Sequence, residues 1–169
     1  GYTHVAVQST HVMHGEEYEK MLSQLEPFRL RLRIAVGMPL LHAREDYEKT
    51  AAALLEWLPP VEADEALVLM GHGTEHFANS AYAQMEQVFR EHSDRVYLAT
   101  VEGYPTLENV MTRLEKRPEI RKIQLAPFML VAGDHARNDM AGAEDSWVSR
   151  LKSMGYQVSC VLRGLGECP

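Results

Sequence analysis

Cysteine is scarce. The chain holds two, Cys160 and Cys168, spaced for neither a CxxC redox pair nor a zinc knuckle. That argues against a disulfide framework and leaves Cys160, inside an apolar run, to read as a core residue. Long apolar runs are missing too: none approaches the ~20 residues needed to cross a bilayer. Gly1 to Thr10 has neither the basic start nor the apolar centre of a signal peptide. Positive charge is in deficit, with 17 Lys and Arg against 24 Asp and Glu and a formal net charge of -7. This disfavours a nucleic-acid partner, because affinity for phosphate backbones comes from clustered basic residues. Low-complexity segments and residue-level repeats are absent as well. The expectation is a soluble, cytoplasmic protein with no membrane partner; a periplasmic location would need a signal upstream of Gly1.

What is present is the composition of a protein with a real core: 46% hydrophobic and 24% charged in 169 residues. Apolar, β-branched runs recur at Thr3 to Ser9, Leu30 to Val36, Ala66 to Met70, Val96 to Val101, Ile120 to Val131 and Gln157 to Leu162, and read as strands. Helical periods stand between them: Tyr18, Met21, Leu22, Leu25; Tyr47, Ala51, Leu54, Leu55; Asn79 to Glu91; Leu107, Val110, Met111, Leu114; and Ser146 to Met154. Such alternation implies right-handed βαβ units, hence an α/β fold of parallel sheets flanked by helices. Pro59-Pro60, followed by acidic Glu62 to Glu65, is the one linker-like break and divides residues 1–60 from 61–169. Because Gly1 leads almost directly into a strand and no helix closes the chain after Gly164, the sequence reads as part of a longer protein.

Ligands of open parallel sheets bind beyond the carboxyl ends of the strands, so residues there are the suspects. His11 follows the first strand, Gly71-His72-Gly73 the third, Glu102 the fourth and Gly133-Asp134-His135 the fifth. The flanking glycines let backbone turn tightly and approach a ligand, though a turn with an incidental histidine reads the same way. At Gly133 to Met140 a long apolar run switches abruptly to charge and imidazole. There Asp134 and Asp139 suit either a helix cap or acceptance of a ring N–H. The segment His11-Val12-Met13-His14-Gly15-Glu16-Glu17-Tyr18 puts acids in a first helical turn, where they also oppose the helix dipole. The other histidines, His4, His42, His76 and His92, read as surface or packing residues.

Together these segments resemble the sirohydrochlorin chelatases of the anaerobic cobaltochelatase (CbiK) type, within the class II chelatases. The likeness runs from His-Val-Ala-Val-Gln-Ser (His4 to Ser9) through Gly-Glu-Glu-Tyr, Met-Gly-His-Gly and Val-Glu-Gly-Tyr-Pro to Gly-Asp-His-Ala-Arg-Asn-Asp-Met and Gly-Leu-Gly-Glu. It implies two flavodoxin-like lobes, the first incomplete here (residues 1–60) and the second spanning 61–169, with metal and tetrapyrrole in the cleft between them. It also implies His72, His135 and Glu17 as catalytic, metal-binding residues, with Glu102 on a family-like segment. A starting strand and helix and a closing helix would be expected around this chain, with pairing of two copies one way to cover the gap.

The implied reaction is insertion of Co2+ into sirohydrochlorin or precorrin-2 for cobalamin biosynthesis, with Fe2+ and Ni2+ as other metals to weigh. Imidazole suits such borderline ions, whereas a thiolate set would hold them too tightly to release. Histidine also titrates near neutral pH and suits acceptance of a pyrrole proton. Arg137 and His11 are the expected contacts to the polycarboxylate ring, unless Arg137 pairs with Asp139 or Glu144. The alternatives are iron insertion for siroheme or heme, and a non-catalytic tetrapyrrole or metal carrier. A histidine phosphatase would need Arg-His-Gly where Met70-Gly71 precedes His72.

Overall fold

Successive side chains of a strand point to opposite faces, and three strands here are buried at every position or nearly so, which requires cover on both sides. The computed structural model, which describes all 169 residues, supplies that cover. β3 (Glu65–Gly71), β4 (Val96–Thr100), β5 (Lys122–Pro127) and β6 (Gln157–Cys160) form a parallel sheet in the order β4-β3-β5-β6. Leu67, Leu69, Val96, Leu98 and Ala126 face one apolar cluster; Ala66, Val68, Met70, Tyr97, Ala99, Ile123 and Leu125 face the other. The first cluster is completed by α2 (Arg44–Trp57) and α3 (Ser80–His92), the second by α4 (Leu107–Leu114), α5 (Trp147–Ser153) and a π-helical turn at His135–Met140. Each fully buried large side chain, Phe89 or Leu125 for example, contributes roughly 1.5–3 kcal/mol.

β1 (His4–Val7) and β2 (Arg33–Val36) form a separate two-stranded parallel sheet, joined through α1 (Glu16–Leu25). Their inner residues are only half-buried. The boundary expected at Pro59-Pro60 falls between α2 and β3, yet Tyr47, Ala51 and Leu54 of α2 pack in one cluster with Met85, Val88 and Phe89 of α3. No helix is long and apolar enough to cross a membrane.

All six expected strands and all five helices form, with shifted ends. The run Ile120 to Val131 yields a strand only from Lys122 to Pro127, because Pro127 has no N–H to offer a neighbour. The β5–β6 ladder accordingly stops at Leu125 and Cys160. Phe128 still packs in the core as loop, which is why an apolar count extends the strand too far. Cys160 is exposed rather than core, since β6 is an edge strand.

Strand order positions the site. β3 and β5 are neighbours, but the chain leaves β3 toward α3 on one face and β5 toward the π-helical turn and α5 on the other. The two loops part, and the crevice between them is where open α/β sheets bind ligands.

Candidate metal centre

His72 follows β3 directly, and its loop is shaped by Gly73 at φ 86°, a left-handed conformation that glycine adopts without penalty. A Cβ at Gly73 would lie 2.6 Å from the Glu102 carbonyl, so the loops after β3 and β4 touch backbone to backbone. The Glu102 N–H donates to the His72 carbonyl at 2.8 Å. Asn79 ties the same loops together, accepting from the Thr74 N–H at 3.1 Å and donating to the Tyr104 carbonyl at 2.7 Å. The register of β3 with β4 thus delivers Glu102 beside His72: their side chains approach to 4.0 Å between Nδ1 and Oε2.

His135 enters from the β5 side. Its ring meets the His72 ring edge-on, with centroids 4.7 Å apart and planes at 88°. One donor atom from each of His72, Glu102 and His135 lies within 4.8 Å of the others. Donors at about 2.1 Å from a single ion stand at most about 4.2 Å apart, so a modest side-chain rotation brings the three onto one cation.

The hydrogen bonds of the rings show which nitrogen is left free to meet a cation. His72 Nδ1 lies 2.9 Å from the Gly73 carbonyl, which only accepts, so Nδ1 carries the proton. His135 Nδ1 lies 2.6 Å from Asp139 Oδ2 and is likewise the donor to a carboxylate. Both rings therefore present an Nε2 lone pair in their neutral form.

A cleft of about 610 Å³ opens beside this triad, within the roughly 300–1,000 Å³ of ligand pockets. One wall is the segment from Thr10 to Tyr18, with His11, Glu16 and Glu17; facing it are His72, Thr74, Glu75 and Glu102. No Lys or Arg lines it. His11 is anchored through Nδ1, 2.9 Å from the Ser9 hydroxyl. Glu17 lies on the wall but outside the triad. Its carboxylate accepts from Lys20 at 2.7 Å, and that hydrogen bond holds its pKa below the ordinary glutamate value. Arg137 stands on the same turn as His135, outside the cleft lining, and makes no ion pair with Asp139, Glu144 or any other carboxylate.

The structure thus brings His72 and His135 together, as the sequence suggested, and adds Glu102, which strand-end logic flagged without ranking. It keeps Glu17 and His11 on the cleft wall. His76, read from sequence as surface or packing, caps a short turn by accepting the Ala78 N–H at 3.2 Å and faces Glu19 at 3.8 Å; the Thr-Glu-His stretch carries no signal for this.

The cobalt chelatase (CbiK) family model matches residues 1–169. The chain belongs to that family. Among relatives of this cobalt chelatase family member, the sirohydrochlorin cobaltochelatase of Salmonella typhimurium is 38% identical over 171 residues, covering 100% of this chain and 64% of the relative. Sirohydrochlorin cobaltochelatase CbiKC of Nitratidesulfovibrio vulgaris is 40% identical, covering 98% of this chain and 60% of the relative. The chain therefore spans less than two thirds of the length of these two proteins. Among solved structures, SirB from Bacillus subtilis with Fe3+ superposes with a TM-score of 0.62 at 19% identity, covering 96% of this chain and 66% of that one; at that identity the likeness concerns the fold.

Proposed function

We propose that this family member inserts Co2+ into sirohydrochlorin or a closely similar tetrapyrrole in cobalamin biosynthesis, using His72, His135 and Glu102 to present the metal. The carrying observation is the meeting of the two imidazoles and Glu102 at the edge of a cleft sized for a large ligand. The names of both relatives favour cobalt and sirohydrochlorin over iron insertion.

Chemically, the reaction exchanges a divalent cation for the two pyrrole protons of the free-base macrocycle, so the site must hold metal and then let it go. Two neutral imidazoles and one carboxylate suit this: they bind Co2+ without the tight grip of thiolates and leave coordination positions for ring nitrogens. As the ring nitrogens take over the cation, the freed Nε2 of His72 or His135 is placed to accept one of the two protons. Glu17 and His11 on the facing wall are assigned to the macrocycle and its second proton, and Arg137, free of carboxylate partners, to a ring carboxylate.

The test is anaerobic incubation of the protein with sirohydrochlorin and Co2+, followed by the absorbance change of metallation. Catalysed metallation with wild-type protein, lost on His72→Ala or His135→Ala, is the expected result. Tetrapyrrole binding without turnover would support a carrier and overturn the enzymatic reading, and a faster rate with Fe2+ would overturn the metal assignment.

A further inference from the structure

The two histidines of the triad are oriented by unlike partners. His72 gives its Nδ1–H to the Gly73 carbonyl, a neutral backbone group. His135 gives its own to the carboxylate of Asp139 at 2.6 Å, the short separation typical of a charge-assisted bond. The turn that carries both residues is rigidly seated. Ala136 and Met140 are fully buried in the second apolar cluster, which leaves His135 and Asp139 on the outward side. The exit is equally tight: the Gly142 N–H donates to the Asn138 carbonyl at 3.0 Å, and a Cβ at Gly142 would lie 2.3 Å from that oxygen. No Lys or Arg pairs with Asp139, whose one ion-pair partner is His135. Nor does Asp134, the residue before the turn, make a capping hydrogen bond.

We propose that Asp139 is a positioning residue that acts through His135: it fixes the ring so that Nε2 faces the metal and makes His135 the stronger donor of the pair. A carboxylate on the far nitrogen raises the donor strength of an imidazole more than a carbonyl does. His72 is then the weaker ligand, the one better suited to yield its place to a ring nitrogen. This assignment rests on the reading of His72 and His135 as metal donors, and the test separates the two.

The probe is Co2+ alone, titrated into the intact chain by calorimetry and followed by its visible d–d absorption. Wild type is compared with Asp139→Ala, Asp139→Asn, His135→Ala and the double variant His135→Ala/Asp139→Ala. Asp139→Ala is expected to weaken Co2+ binding about 10- to 100-fold and to alter the d–d band. Asp139→Asn, whose amide oxygen still accepts the Nδ1–H but carries no charge, falls between; it also serves if the alanine variant does not fold. In the His135→Ala background the Asp139 substitution should change affinity by no more than about twofold. Wild-type binding by Asp139→Ala with weakened binding by His135→Ala would overturn the Asp139 proposal alone. An equal loss in both backgrounds would do so too, because Asp139 would then act elsewhere. Wild-type binding by His135→Ala would overturn both the proposal and the metal-donor reading beneath it.

Discussion

The imidazole of His72 and the carboxylate of Glu102 lie side by side, 4.0 Å apart, because the Glu102 N–H donates to the His72 carbonyl one step past the β3–β4 ladder. A histidine and an acid from consecutive strand ends thus form one half of the candidate metal centre, and His135 stands as the other.

From this arrangement we expect Glu102→Gln to weaken Co2+ binding by about tenfold or more, since an amide replaces an anionic oxygen next to the cation. Glu17→Gln should leave Co2+ affinity within about twofold while lowering the insertion rate, because Glu17 sits on the facing wall and is already paired with Lys20. Parallel metal titrations and insertion assays of the two variants decide the point; a larger loss of metal affinity in Glu17→Gln would make Glu17 the third ligand.

The contrast between these two glutamates shows how far the sequence could be read. His72 and His135 stand out because each follows an apolar run that ends abruptly in glycine and imidazole, but that signal alone also fits a turn, and their pairing as metal donors comes from the family resemblance. Glu102 was flagged by the same strand-end logic, but an acid after a strand reads equally as a solvated surface residue. Its partnership depends on the register of β3 against β4 and on Gly73 passing the Glu102 backbone, neither of which is encoded nearby. The π-helical turn was likewise hidden: Asp139 reads as a helix cap until the turn shows its carboxylate on His135. Cys160 misled for a related reason, since an apolar run does not say whether its strand is central or at the edge.

The proposed site uses both imidazoles for one ion. His72→Ala and His135→Ala should each lower cobalt insertion by about 100-fold or more with little change in the thermal midpoint, because neither ring is part of an apolar cluster. Circular dichroism melts run beside the insertion assay check this, and near-normal turnover by either variant removes that residue from the mechanism.

Gly73 should be intolerant for a backbone reason. Its φ of 86° costs a residue with a Cβ about 1–2 kcal/mol, and the new atom would press on the Glu102 carbonyl at 2.6 Å. Gly73→Ala is expected to lower stability by at least that amount and to weaken Co2+ binding by separating His72 from Glu102. Denaturant titration and metal titration of the same preparation measure both; an unchanged Co2+ affinity would mean the loop contact does not set the site.

Acid stability has an identifiable contributor at the α4–α5 contact. Glu108 accepts from its own backbone N–H, from the Thr106 hydroxyl and from Arg150, in that order of effect, which brings its pKa down to about 2 from an ordinary 4.5. A depressed carboxylate stabilises the fold above its unfolded value, and the contribution is lost as pH falls from about 4.5 to about 2. The pair is largely exposed to solvent, so its worth at neutral pH is at most about 1 kcal/mol. Glu108→Gln should therefore lower the melting midpoint slightly at pH 7, and the difference from wild type should shrink through that acid window. A gap that stays constant down to pH 2 would assign the effect to packing instead of charge.

Arg137 offers the clearest separation of ring binding from metal binding. The cleft lining holds Glu16, Glu17, Glu75 and Glu102 and no Lys or Arg, so a polycarboxylate ring must find a permanently charged partner outside the lining. Arg137 shares a turn with His135, makes no ion pair, and has a guanidinium that binds carboxylates through two parallel N–H donors. Arg137→Ala should raise the KM for sirohydrochlorin about tenfold, the loss of one charge-assisted contact at about 1.5 kcal/mol, while Co2+ affinity stays at the wild-type level. Arg137→Lys keeps the charge but loses the paired geometry, so its KM should fall between the two. If all three proteins bind the ring alike, its carboxylates are held elsewhere; if Co2+ affinity falls with KM, Arg137 acts on the His135 turn and not on the substrate.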